Sequence, residues 1–468
     1  MTAPLPKFEW RPRRQRTVVE RAGHWLSTFG GMYDLQADRP PPAGPLIPRT
    51  LDAKTPREDA LGLLKLAAEV EHALMAQYLY AAWSIDTDIE GGADAAATFS
   101  HIAVQEMFHL LAVQNLLIVL GGPDHVHLGR DALRAASNFN PMPLVLEPAD
   151  RAAVSKYVVA EMPLVIADAA LRERLQKIHA AAKADANSKL NHVGAIYSAL
   201  HWIFQADNRD MTAVGLGLKD GYEKGWHLLD TDFVVTQTVD SFAAQRVLWH
   251  ASAGHTLEPV YDRAQALKLL HAIASQGEGL EAGTDSHFER FFALLEQDIP
   301  LRNGVPTSPY GSNAPAPDVN QKTPITSEAG RLWCDWFDVR YTMLWHDIGH
   351  ALRTPASADV RRKLTNMVFA QMRSGLLAMA RAAGSMPASD TAGGRAGPGF
   401  GMVFAALPEA VGARARALEL AEMERQLAEQ VRALPHALET MEAQDAYDLV
   451  MGAGGLHEQR NKIIGQTT

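Results

Sequence analysis

Most of the chain repeats apolar residues at helical spacing, in Ala-, Leu- and Glu-rich stretches. The pattern predicts helices over about 58–86, 94–120, 151–178, 189–206, 263–278, 286–298, 326–353, 357–384 and 408–450, the last broken at Pro435. Pro56 followed by Arg-Glu-Asp is a helix-start pattern, and Gly121-Gly122-Pro123 is a stop. Strand signals are thin; DFVVTQTV (232–239) reads as a small strand or an extended linker. No fixed-period repeat or heptad array is present. The expected fold class is therefore all-α.

Two stripes break the rule that helix cores are apolar. Leu64, Ala67, Glu71, Met75 and Tyr78 fall on one face, and Ile102, Glu106, His109, Val113, Leu117 and Leu120 on another. Glu71, Glu106 and His109 thus lie within apolar faces of consecutive helices that can pack antiparallel. A buried, unpaired carboxylate costs several kcal/mol, roughly, even after relaxation. A metal ion offsets that cost for several such groups at once. Glu-x-x-His sets two ligands on one helix face, and a bundle with a Glu from each of two helices and a Glu-x-x-His from each of two others holds iron or manganese. Glu71 with Glu106 and His109 would supply half of such a site. Tyr78 is placed to donate to it or to pack in the core. Glu69 and His72 face other directions and read as solvent or packing residues.

Composition narrows the classes. With 47% apolar and 21% charged residues, the 468-residue chain has the makeup of a soluble globular protein. Its net charge of −10 argues against a general nucleic-acid or anionic-membrane binder. The single cysteine, Cys334, rules out an intrachain disulfide and a Cys-rich metal site, and reads as a buried apolar residue. Arg13-Arg14 is followed by no apolar run, so it does not read as an export signal. The longest apolar run, LLAVQNLLIVL, is short and carries Gln114 and Asn115, as a buried helix would. A cytoplasmic protein with no membrane partner is the expectation, its oligomeric state left open.

Three Pro/Gly-rich breaks divide the chain: ADRPPPAGPLIPRT, the stretch around position 310, and GSMPASDTAGGRAGPGFG. The second is long enough for a surface loop or a lid. The expected organisation is an N-terminal extension (1–57), a metal-binding bundle (58–300), a Pro-rich loop (301–325) and additional helices packed on the bundle (326–468).

EVEHALMAQYLYAAWSI followed by IAVQEMFHLLAVQNLLIVLGG resembles the ferritin-like domain of the iminophenyl-pyruvate dimer synthase family, which acts in bisindole pigment biosynthesis. HAIASQGEGLEAGTDSHFERF is similar to that family's Gln-Gly-Glu-Gly segment and following Ser-His-aromatic helix start. NHVGAIYSALHWIF is similar to its Gly-x-x-Tyr helix, and RAGPGF to its Ala-Gly-Pro-x-Phe segment. The matches run from about 58 to 400. The resemblance implies a ferritin-like four-helix bundle elaborated by further helices, with Glu278 and His287 as the remaining ligands. Glu278 ends the stripe Leu267, Leu270, Ala274, and His287 opens the stripe Phe291, Leu294. Taken alone, these two also read as a solvated helix end and an ordinary N-terminal helix residue. In one departure, Ala195 stands where the family has a Glu after the glycine. This leaves one metal, or a weaker second one, unless His192, His201 or Glu161 substitutes; Glu161 has no pattern to support it.

Carboxylate-rich sites with two histidines favour iron, with manganese as the alternative. The first expectation is an oxidoreductase that uses dioxygen or a peroxide on a small amino-acid-derived or aromatic metabolite. The resemblance implies oxidative imine coupling as one candidate reaction. Synthases of that kind also use a haem-bearing region, for which this chain shows no Cys-x-x-Cys-His. Two other classes compete: a non-catalytic metal store or scaffold, and a His-Asp phosphohydrolase read from TMLWHDIGHAL. The latter needs an upstream His, and 288–345 contains none. His346 and His350, four residues apart, could also bind a separate metal. His125 and His127 read as loop residues, the Met367, Met372, Met379, Met386 series as helix core, and Trp226, Trp249 and Trp333 as candidate pocket lining.

Overall fold

The computed structural model describes residues 8–12, 46–129, 144–163, 168–186, 190, 192–206, 225–234, 257, 260–278, 285–302, 325–355, 358–391, 393–402 and 412–466. Helix α1 (Pro56–Trp83) starts where the Pro-Arg-Glu-Asp pattern predicts. Thr55 caps it by accepting from Glu58 N, with Glu58 and Asp59 in the first turn complementing the helix dipole. Helix α2 (Gly92–Gly121) ends at the predicted stop, with Gly122 at φ 86°, a conformation that glycine adopts without strain. The two lie antiparallel, because the Arg57 guanidinium at the start of α1 donates to Leu120 O at the end of α2. Among the described residues α2 is the one helix long and apolar enough to cross a membrane, and 94% of its apolar window is buried inside the protein.

The predicted helix 151–178 is in fact two, α3 (Arg151–Ala160) and α4 (Ala169–Ala186). Pro163 is the reason: it lacks an N–H and disfavours helical backbone in the residue before it. Then follow α5 (Gly194–Phe204), α6 (Arg263–Glu278) and α7 (His287–Leu294). Helix α8 (Glu328–Arg353) leads into α9 (Asp359–Ala370) and α10 (Leu376–Ser385), joined by a π turn at Gln371–Gly375. The predicted 408–450 helix appears as α11 (Ala413–Ala433) and α12 (Met441–Met451), parted by a short 3-10 turn that starts at Pro435. A last helix, α13 (Leu456–Ile464), was not foreseen.

The described strands are β1 (Phe8–Pro12) and β2 (Leu46–Thr50), an antiparallel pair that sequence patterning missed, since β2 carries Pro48 and follows a proline-rich run. Residues 232–234 form no strand, and 235–239 lie outside the described residues, as do Trp249 and residues 303–324 of the expected Pro-rich loop.

One buried apolar cluster runs through both the N-terminal helices and α8, α10 and α12. His72, at 0% exposure, ties α1 to α8. Its Nε2 bonds Tyr341 Oη at 2.6 Å, its Nδ1 bonds Leu128 O at 3.1 Å, and its ring packs on Trp345. Glu69 is likewise buried, paired with His127 at 2.8 Å. Cys334 is buried and directs its Sγ to Gly397 O.

Candidate metal centre

Glu71, Glu106 and His109 meet in the core, all at 2% exposure or less. Their ligand atoms lie within 4.8 Å of one another. A second group with the same spread joins Glu106, Glu161 and His287. Glu106 belongs to both: its Oε2 lies 2.9 Å from His109 Nδ1 and its Oε1 lies 3.0 Å from His287 Nδ1. The histidine rings stand 5.5 Å apart across it.

The two halves mirror each other. His109 Nε2 bonds Gln276 Oε1 at 2.9 Å, and His287 Nε2 bonds Gln105 Oε1 at 3.1 Å. A Gln Oε1 can only accept, so each Nε2 carries the hydrogen and donates. Each Nδ1 then faces Glu106: in the protonated ring it donates to that carboxylate, and in the neutral ring it offers a lone pair to a cation. Tyr197 Oη donates to Glu71 Oε1, and Tyr78 Oη donates to Glu161 Oε1 at 2.6 Å. Each phenol holds one oxygen of a terminal carboxylate and leaves the other facing inward. Gly277 closes the site: a Cβ there would lie 3.3 Å from Glu161 Oε2.

Local sequence explains each position. Ser286 and Glu289 form a capping box that fixes His287 as the first residue of α7, fully buried. The break before Pro163 places Glu161 at the C-cap of α3, its N–H bonded to Tyr157 O. The Gly-x-x-Tyr helix delivers Tyr197 two residues after Ala195.

Electrostatics show what this arrangement lacks. Burial pushes the Glu71 carboxyl up to about 8, with Glu106 adding repulsion. Burial, and again the charge of Glu106, raise Glu161. Burial opposes charge on Glu106 too, but His287 and His109 hold it below the usual carboxylate range. Burial would neutralise the histidines, yet their carboxylate neighbours push His109 up to about 10 and His287 to about 9. Three buried carboxylates face two imidazoles, and Glu71 Oε2, Glu106 Oε1 and His287 Nδ1 make no hydrogen bond. Once the imidazoles give up their protons, these inward-facing oxygens and nitrogens form a donor set that fits bound cations, and the mix of oxygen and imidazole ligands suits a first-row transition metal.

Four of the five predicted ligands, Glu71, Glu106, His109 and His287, therefore sit in one cluster that could hold metal. The side chain of Glu278 lies outside the described residues, although its backbone closes α6. Where Ala195 offers no carboxylate, Glu161 brings one into the cluster, beside Glu106 and His287. His192 instead bonds Met162 O, and His201 stands outside both groups. His346 and His350 form no metal group among the described residues, and Asp347 is held by Arg460 through two contacts of 2.7 Å. Trp333 stacks on Trp336 in the core, and Trp226 donates to Asp59. Sequence reasoning missed Gln105, Gln276 and Tyr197. All three lie in segments it had singled out.

Residues 64–296 match the ferritin-like family model. The chain carries a ferritin-like domain. This domain holds every described member of the cluster. A curated relative, 2-imino-3-(indol-3-yl)propanoate dimerase of Chromobacterium violaceum, is 27% identical over 317 residues, covering 60% of this chain and 27% of that protein. It bears out the resemblance read from the motifs, and the match spans little more than a quarter of its length. A solved structure described as a ferritin-like protein, from Caulobacter vibrioides, is 16% identical and covers 66% of this chain and 93% of its own, with a TM-score of 0.35.

Proposed function

We propose that the ferritin-like domain would hold two iron ions, with Glu106 belonging to both ligand groups, and that the protein is an oxidoreductase for a small amino-acid-derived or aromatic metabolite. The observation that carries this reading is the paired arrangement, in which both imidazoles commit Nε2–H to a glutamine and turn Nδ1 toward a shared carboxylate. Glu71 and His109 would hold one ion, Glu161 and His287 the other. When bound, such ions exchange electrons with dioxygen or a peroxide, the proposed oxidant. The chain's own part is to fix ligand geometry through Tyr197, Tyr78, Gln276 and Gln105, and to exclude water with the surrounding apolar core. The name of the curated relative supports an amino-acid-derived substrate.

Elemental analysis of protein made in iron- and manganese-supplemented cells tests the site. The wild type should carry about two ions per chain, as bundle sites of this kind do. Glu106→Ala should lose both, and Glu161→Ala should keep about one. Stoichiometric metal in Glu106→Ala would rule out its place in both groups. Oxidant consumption should require substrate. Loading of many ions per chain without substrate would identify a store instead.

A further inference from the structure

A cavity of about 500 Å³ separates α1 and α2 from the C-terminal helices, a size suited to a small organic molecule. Trp83, Ala96, Leu377 and Ala380 give it an apolar wall, while Arg302, Arg381 and Arg395 also line it, against a single lining carboxylate, Glu442. In a chain of net charge −10 this is a local positive site. None of the three arginines pairs with a carboxylate among the described residues. Arg302 Nε donates to Ile85 O and Arg395 to Ser385 O, which anchors two of the guanidinium forks by backbone carbonyls and leaves further N–H groups for a ligand.

The RAGPGF segment builds one side. It contributes Arg395, Ala396, Gly397 and Pro398 to the lining. Its Phe400 is fully buried at φ 49°, the one non-glycine residue with positive φ among those described. A bulky side chain there is strained, and it persists only where its surroundings hold it. Phe400 stacks on Trp83 with ring centroids 5.4 Å apart, fixing the indole that forms the wall. Cys334 and Asp338 pin the segment on either side, at Gly397 O and Gly401 N.

A second, apolar cavity of about 190 Å³ shares Trp83, Ser100 and Leu377 with the first. Its lining includes Met75 and Ala103, one helical turn along α1 and α2 from Glu71 and Glu106. The apolar space therefore leads from the arginines toward the helix segments that carry the cluster.

We propose that the paired cavities bind a small amphipathic carboxylic acid, with its carboxylate on Arg302 and Arg381 and its aryl or alkyl body along Trp83. The proposal deepens the oxidoreductase reading by naming its substrate class, and rests on that reading only in calling the ligand a substrate.

Calorimetric titration of the full chain, stripped of metal by a chelator, tests it with 3-phenylpropionate and its uncharged amide. The acid should bind about tenfold more tightly than the amide, the scale of a charge-assisted hydrogen bond. The double variant Arg302→Gln/Arg381→Gln should weaken the acid by about the same factor and leave the amide unchanged. Gly384→Leu should abolish binding of both. Gly384 lines the larger cavity, and a Cβ there would meet only Ala396 O, at 3.9 Å, so the added side chain fills the space without forcing the backbone. Equal binding of acid and amide, no binding of either at millimolar concentration, wild-type affinity in the double arginine variant, or full binding by Gly384→Leu would each overturn the proposal. No metal is present in these titrations, so their failure is separate from failure of the metal site.

Discussion

At the scale of single residues, the centre is a problem of charge in a dry place. Glu71, His109 and His287 all have folded-state values raised above their ordinary ones. A group with a raised value stabilises the fold below its unfolded pKa and loses that contribution as pH rises through its folded value. In the metal-free protein Glu71 therefore gives up stability between about 4.5 and about 8. The histidines give theirs up from 6.5 to about 10 for His109 and about 9 for His287. Glu106 is shifted the other way, but it titrates only in acid. Chelated protein should thus melt at a lower temperature at pH 9 than at pH 6. Metal competes with protons for the same atoms, so the gap between loaded and chelated protein should widen over that range. Thermal melts with and without chelator at the two pH values check this. A gap that narrows would mean these groups do not bind the ion. Glu71, Glu106 and His109 were legible because each interrupts an apolar stripe, whereas His287 was legible only through the family resemblance, since by itself it reads as an ordinary N-terminal helix residue. Glu161 interrupts nothing, since its helix ends there.

At the scale of elements, local chemistry set the helix ends, and the helix ends set the site. Thr55 fixes the start of α1 and so the phase at which Glu71 turns inward. Thr55→Ala removes one cap and should cost about 1 kcal/mol, read by urea denaturation, with metal content unchanged. A loss of metal at that position would show that the α1 start, not only its core face, controls the centre. The division of 151–178 into α3 and α4 shows where pattern reading falls short. Apolar periodicity continues past Ala160, and only Pro163 marks the interruption that leaves Glu161 at a helix end beside His287. Weighting the proline above the periodicity would have separated that glutamate from a solvated helix face.

At the scale of the molecule, α8 joins the ferritin-like domain to the C-terminal helices. Two buried ion pairs hold it: Asp347 with Arg460 of α13, and Glu424 of α11 with Arg340, both contacts fully buried. His457 and Trp336 complete the Glu424 site. Burial raises Glu424, but Arg340 and His457 outweigh it and bring its carboxyl down to about 2. Breaking a buried pair leaves one charge without its partner. Glu424→Ala should therefore destabilise the protein by about 3–5 kcal/mol, measured by chemical denaturation. A cost under about 1 kcal/mol, the scale of an exposed pair, would show that Arg340 finds another partner or water. Helix α8 also contributes Tyr341 and Leu344 to the smaller cavity, across which α10 faces α1.

The sequence alone determined the helical class, most helix boundaries within a few residues, and three cluster members, Glu71, Glu106 and His109, because periodicity reports which face of its own helix a residue occupies; His287 came only through the resemblance. It did not determine that Glu161 would complete the second group, that Tyr197 and Gln276 would steady one half while Tyr78 and Gln105 steadied the other, or that arginines from three segments would ring one cavity. Those facts depend on atoms far apart in the chain coming within a few ångströms. Only the packing of helices against one another sets such distances, and no local pattern encodes them.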